Sequence, residues 1–223
     1  MTKSNELIKK GLEAANENKK ILGNHSSFIS GDLLHFYSEL ENRQNCTAEA
    51  VRWYLPPLVA ILESFYKVLF AKYLDTNATY LSRAEKLHNV YKPELKFDLL
   101  FGLNQKQFTI GELYAHSLKY NSLSEIRKNY ELICDCDYIN QIKNFDVSLL
   151  NGADIKEGEN AQKNIEKIFS SVGQAFILRH SLIHEYPASN VSVAKEQMLN
   201  YLENARLLTM ITDRVFTIDV KKM

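Results

Sequence analysis

Glycine and proline together fill only 12 of the 223 positions, eight glycines and four prolines, where a typical chain carries about 12 % of the two combined. A sandwich or barrel of many short strands needs turn residues at close intervals, so this shortage excludes such folds and leaves long, uninterrupted elements. Apolar residues supply what those elements must bury. They make up 45 % of the chain, enough for a core and too many for a disordered polymer. Lys and Arg number 27, as do Asp and Glu, so no global field draws the molecule onto nucleic acid or anionic lipid. Any such binding must come from a local site.

The apolar residues recur with helical spacing. From Thr47, placed to N-cap, a pattern runs to about Asp75 in which Leu58, Leu62, Phe65, Leu69 and Tyr73 follow at intervals of three and four. Pro56-Pro57 removes two backbone donors, so the stretch is either kinked there or is two helices, the second starting with proline in its first turn. Glu63 shares a stripe with Val59, Tyr66 and Phe70, an unusual place for a carboxylate unless the position is a solvated edge. Upstream, Ser4 to Ile21 and Phe28 to Leu40 have the spacing of two amphipathic helices.

Downstream the pattern breaks into Tyr80 to Tyr91, Glu94 to Leu103, Ile110 to Tyr120, Leu123 to Ile133 and Tyr138 to Phe145, with a polar loop from Asn151 to Gly158. This region, about 79–158, is expected to be a helical insertion or satellite layer, since no low-complexity linker marks it as a separate domain. Two long helices follow. Residues 159–186 carry Ile165, Ile168, Phe169, Val172, Phe176 and Ile183 on one face; residues 191–217 carry Val193, Met198, Leu202, Ala205, Leu208 and Ile211. Pro187 disfavours the helical conformation at Tyr186 and ends the first, while Asn190 or Ser192 is placed to cap the second. Long helices with short joins are antiparallel neighbours, so the expectation is an all-α helical bundle forming one domain over 1–223.

The opening MTKSNELIKK is charged and lacks the apolar stretch of a signal sequence. The apolar run from Tyr54 to Phe70 is interrupted by two prolines, Glu63, Ser64 and Lys67, short of the ~20 apolar residues that span a bilayer. Cys46, Cys134 and Cys136 fit no zinc ribbon, and Cys134-Asp135-Cys136 is too tight for an ordinary bridge. These features suit a soluble protein in a reducing cytoplasm.

Chemistry-bearing residues gather at Leu178-Arg179-His180-Ser181-Leu182-Ile183-His184-Glu185-Tyr186-Pro187. At about 100° per residue, His180 and His184 lie ~40° apart on one stripe and Arg179 lies ~140° from His184. Arg179 instead continues the core-facing series Val172, Phe176 and Ile183, where a guanidinium requires an anionic partner, a ligand or an interface. The negative end of the helix macrodipole favours an imidazolium at position 184. A histidine that exchanges protons near neutrality, close to a fixed cation, is the least equipment for metal-free RNA cleavage. Such cleavage needs a base for the 2′-hydroxyl, an acid for the 5′-oxygen leaving group and positive charge for the phosphorane.

The sequence Arg179-His180-Ser181-Leu182-Ile183-His184, near the end of the penultimate bundle helix, resembles the motif of the HEPN superfamily. That motif is an Arg, four to six residues and a His, with Asn, Asp or His preferred after the Arg. The order of elements is similar too: a long apolar helix pair over Ala48 to Asp75, a variable middle, a motif helix and a final packing helix. The resemblance implies a two-fold homodimer whose two motifs face each other across a cleft, so that both chains hold one phosphate. It implies that Arg179 binds the scissile phosphate, that His184 is general acid or base, and that His180 orients the phosphate or the partner His. Glu63 is the carboxylate placed to join them. The implied function is a metal-independent endoribonuclease acting on RNA, in a toxin, abortive-infection or RNA-processing role, with an antitoxin or defence-system partner. The alternative is a non-catalytic module of the same fold that binds a nucleotide or a protein.

Other chemistries find less support. His180 and His184 have the i, i+4 spacing of two metal ligands, with Glu185 or Glu63 as a third, but the Glu of a His-Glu-x-x-His motif is missing. No metal or other cofactor is expected. His25, His35, His88 and His116 stand singly and read as packing or surface residues. Neither a glycine-rich phosphate loop nor a Gly-x-Ser-x-Gly elbow occurs, which removes P-loop NTPases and α/β-hydrolases.

Overall fold

The structure, a computed structural model, describes residues 25–76, 78–91, 105, 108–146, 159, 161–185 and 191–222, with the side chains of 25–30, 78–82, 91 and 217–222 left aside. The described residues form helices and no strands. In chain order these are α1 (His25–Asn42), α2 (Ala48–Arg52), α3 (Leu55–Thr76), α4 (Ala78–Tyr91), α5 (Ile110–Ser117), α6 (Leu123–Cys134), α7 (Tyr138–Lys143), α8 (Ile165–His184) and α9 (Lys195–Lys222). The expected helices at Ser4 to Ile21 and Glu94 to Leu103, and the loop at Asn151 to Gly158, lie outside the described residues.

Pro56 and Pro57 stand in the first turn of α3, where proline's missing N–H costs nothing. The expected single pattern from Thr47 is therefore two helices, separated at Trp53-Tyr54. Thr47 does cap the first: its Oγ1 accepts from the Ala50 amide at 3.2 Å. The last helix begins at Lys195 and continues to Lys222, later and longer than the expected 191–217, so Ser192 does not cap it. Ala48–Thr76 is long and apolar enough to cross a membrane by length and composition. Most of its large apolar residues are nonetheless taken up by the interior of the bundle, with Leu55, Leu58, Leu62, Tyr66, Phe70 and Leu74 fully enclosed.

α3 is the central element: α1, α4, α5, α8 and α9 all pack against it. Two helices of the middle region, α6 and α7, reach into the core. Tyr130 of α6 and Tyr138 of α7 are fully buried and join Tyr66, Phe70, Tyr73 and Phe216 in one aromatic cluster. Tyr138 stacks on Phe216 at 5.8 Å, and Tyr130 meets Phe70 edge-on at 5.7 Å. Aromatic residues bring large apolar area, but tyrosine hydroxyls must find partners when buried.

Here they form a directed chain. Thr212 Oγ1 donates to the Leu208 carbonyl at 2.7 Å, so it accepts from Tyr138 Oη at 2.8 Å, which in turn accepts from Tyr66 Oη at 3.1 Å. Tyr130 Oη donates to the Tyr66 carbonyl at 2.9 Å. Burial pushes the Tyr66 phenol up to about 12 and raises Tyr130 and Tyr138 well above the usual range, so the chain stays neutral and intact through physiological pH. Tyr138→Phe leaves Tyr66 Oη without its acceptor and is expected to cost about 1–3 kcal/mol, read as a lower urea midpoint with an unchanged m-value.

Two polar clasps fix the outer helices. Lys195 Nζ donates to the carbonyls of Glu41 and Arg43 at 2.9 and 2.8 Å, closing the end of α1 from the start of α9. Asp75, in the last turn of α3, accepts from the Gly111 amide at 2.9 Å and from Thr109 Oγ1 at 2.5 Å. Thr109 and Glu112 complete a capping box on α5. Gly111 is required there because a Cβ would run into the Ala71 carbonyl oxygen.

His116 on α5 lies close to Lys67 of α3. Burial, and then the Lys67 ammonium, hold its pKa below the ordinary value, with Glu112 opposing. The folded state therefore resists protonating a group that the unfolded chain protonates near pH 6.5. Stability from this source is complete above about pH 6.5 and is lost as pH falls below it towards the depressed folded value. The urea midpoint is expected to decline over that window, and His116→Gln to flatten the decline.

Candidate functional site

α8 owes its position to one buried side and to polar ties with its neighbours. Ile165, Ile168, Val172, Ala175, Phe176 and Leu182 face the interior, and the helix packs on α3, α6, α7 and α9. Midway along, Ser171 Oγ accepts from Asn204 Nδ2 at 2.9 Å and from Asn200 Nδ2 at 3.3 Å, both on α9. The helix occupies Ile165–His184, within the expected 159–186, and ends with the Glu185 amide bonded to the Ser181 carbonyl at 3.0 Å. Tyr186, Pro187 and Asn190, expected to shape the join, lie outside the described residues.

The last two turns hold the chemistry. His180 and His184 are both exposed, their ring centroids 4.5 Å apart and the ring planes tilted by 43°. Arg179 is half-buried, and its Nε is shut off from solvent without a hydrogen-bond partner among the described residues. Its own spacing explains this: Arg179 follows Val172 and Ala175 along the buried side, ~140° from His184. The apolar series does not continue to Ile183 as expected. Leu182 is the buried residue of the final turn and Ile183 is 43 % exposed, because the core contact shifts by one position where α8 leaves the bundle.

The structure thus brings His180 and His184 together and sets Arg179 on the other flank of the same helix. Glu63 is half-buried on α3 beside the enclosed Leu62, and no ion pair joins it to Arg179 among the described residues. Glu185 is exposed next to His184. No group of three or more His, Cys, Asp or Glu suited to a metal ion occurs among the described residues. Cys46, Cys134 and Cys136 form no disulfide among the described residues and are half-buried.

One residue of this surface escaped the apolar pattern. Ile177 is 60 % exposed and lies about 20° from His184 and 60° from His180 around the helix. Its signal was its register: three residues before His180 and seven before His184, it falls on the imidazole stripe and not on the core stripe. Ile177 and Ile183 therefore flank the two imidazoles with apolar surface that no described residue covers. No family model, no curated protein and no solved structure matches the chain.

Proposed function

We propose that the chain is a metal-independent endoribonuclease of the HEPN type that works as a homodimer in the cytoplasm, in a toxin, abortive-infection or RNA-processing role, held in check by an antitoxin or similar partner. The observation that carries the reading is Arg179, a half-buried guanidinium next in sequence to the exposed His180 and in the same last turns of α8 as the exposed His184. Its Nε has no acceptor among the described residues, and a phosphate oxygen is the acceptor an Arg fork fits best. Exposed Ile177 and Ile183 beside the histidines supply the surface on which the second copy sits. Two-fold pairing also answers the angular problem, since one phosphate is then held by the Arg of one chain and the imidazoles of the other.

The chemistry follows from these groups. A neutral His184 takes the proton of the ribose 2′-hydroxyl, whose oxygen attacks phosphorus; the partner copy's imidazolium protonates the departing 5′-oxygen. The products are a 2′,3′-cyclic phosphate and a 5′-hydroxyl. Arg179 stabilises the charge on the phosphorane, and His180 orients the phosphate or the opposing imidazole. Glu63 completes the set only if dimerisation carries the phosphate towards α3.

The test is cleavage of a mixed RNA pool in EDTA by wild type, Arg179→Ala and His184→Ala, with a substrate 2′-deoxygenated at the cut position. Wild type is expected to cut, both variants to fail while remaining dimeric, and the deoxy substrate to survive. Undiminished cutting by both variants sinks the proposal. The balance of 27 basic and 27 acidic residues favours a second reading, a binding or adaptor module. That reading expects no RNA degradation, and weaker ligand binding or dimerisation in Arg179→Ala.

A further inference from the structure

We infer that His180 and His184 form a bidentate site for a borderline divalent transition-metal ion of the zinc or nickel kind. The argument is geometric. Two imidazoles one helical turn apart chelate an ion when one nitrogen from each ring comes within about 2.0–2.1 Å of it. For a roughly tetrahedral angle at the ion, that places the ring centroids ~5 Å apart. They are already 4.5 Å apart on the surface of α8, both rings exposed, so a small rotation of two unconstrained side chains completes the chelate without disturbing the core.

The ligand type selects the ion. Neutral imidazole suits zinc, copper and nickel, whereas calcium and magnesium require oxygen donors. Because no third His, Cys, Asp or Glu completes a cluster among the described residues, the remaining positions are filled by water. The site is therefore open and exchangeable, unlike the closed four-ligand sites that support a fold. Electrostatics assist. His184 is in the last turn of α8, where the helix presents its negative end, and the exposed Glu185 carboxylate follows it in sequence. Arg179, the nearest fixed cation in sequence, projects from the opposite flank.

The binding claim stands apart from the ribonuclease reading; its regulatory consequence rests on it. An ion on His184 occupies the lone pair that would accept the 2′-hydroxyl proton, so a bound transition metal switches cleavage off and a chelator restores it.

Calorimetric titration of the full chain with nickel chloride, and separately with zinc chloride, tests the binding directly. Wild type is expected to take up one ion per chain with micromolar affinity. His180→Ala and His184→Ala are each expected to weaken that uptake about tenfold or more. A protein with Cys46, Cys134 and Cys136 all changed to Ser is expected to bind nickel as wild type does, which assigns the heat to imidazole and not to thiolate. Both histidines are exposed, so circular dichroism should show the variants folded. Wild-type affinity in the His180→Ala/His184→Ala double variant overturns the inference. Because the readout is heat of binding, a protein that cleaves no RNA leaves this test intact, and a protein that cleaves RNA but binds no metal fails this inference alone.

Discussion

Replacing His184 by alanine is expected to slow RNA cleavage by about 10²- to 10⁴-fold, the usual loss when a general acid or base is removed. Arg179→Ala is expected to lose about 10²- to 10³-fold, the cost of removing one fixed donor to a developing oxyanion. Arg179→Lys should not restore the rate, because a single ammonium cannot reproduce the planar fork. On the proposed mechanism the two losses do not add, since both residues then serve one transition state. Single-turnover rates with saturating enzyme separate these effects from RNA binding.

Stability supplies a second axis. Removing a half-buried guanidinium whose Nε has no hydrogen-bond partner among the described residues should leave the melting temperature unchanged or raise it. A structural arginine would behave in the opposite way. Loss of cleavage with retained stability supports a ligand-holding role for Arg179; loss of both together would point to a packing role.

Gly111→Ala is expected to destabilise the fold by about 3–5 kcal/mol, beyond the ordinary range for overpacking because backbone lies in the way. The added Cβ meets the Ala71 carbonyl oxygen and stands 2.7 Å from Asp75 Oδ1, and the backbone oxygen cannot retreat without parting α5 from α3. Separation also breaks the Asp75 bonds to the Gly111 amide and Thr109. For a chain of this size the melting temperature should fall by roughly 10 °C. Asp75→Asn, which keeps the volume but weakens the charged acceptor, should cost about 1–2 kcal/mol. A Gly111→Ala protein as stable as wild type would mean that α5 does not approach α3 so closely.

Helices were legible because their cause is local. Leu58, Leu62, Phe65, Leu69 and Tyr73 are all buried on α3, as spacing alone requires, and proline in a first turn explains where that helix starts. Thr109-Ile110-Gly111-Glu112 carries the signature of a capping box and could have been read as the start of α5. What spacing could not show is where distant segments meet. Nothing local marks Tyr130 and Tyr138 as members of the α3 and α9 core, or Asp75 as the partner of a turn more than thirty residues away.

At the candidate site the same division holds. The i, i+4 relation of the two histidines and the inward register of Arg179 are helix geometry. The hidden Nε and the uncovered Ile177 and Ile183 depend on which neighbours α8 has. Ile183 was misassigned for that reason: its heptad relation to Phe176 is sound, but no described residue buries it at the end of the helix.

The Lys195 clasp has a consequence for synthesis. The carbonyls it closes belong to residues 154 and 152 positions earlier. At about 5–20 residues per second, α1 emerges from a ribosome roughly 8–30 s before its lysine does. During that interval its partner face is bare, and the bundle cannot settle until α9 arrives. α8, which carries Arg179 and His184, also packs on this late helix, so on the proposed reading a nascent copy is inactive near its own ribosome. Activity, on the proposed reading, begins only with release and pairing.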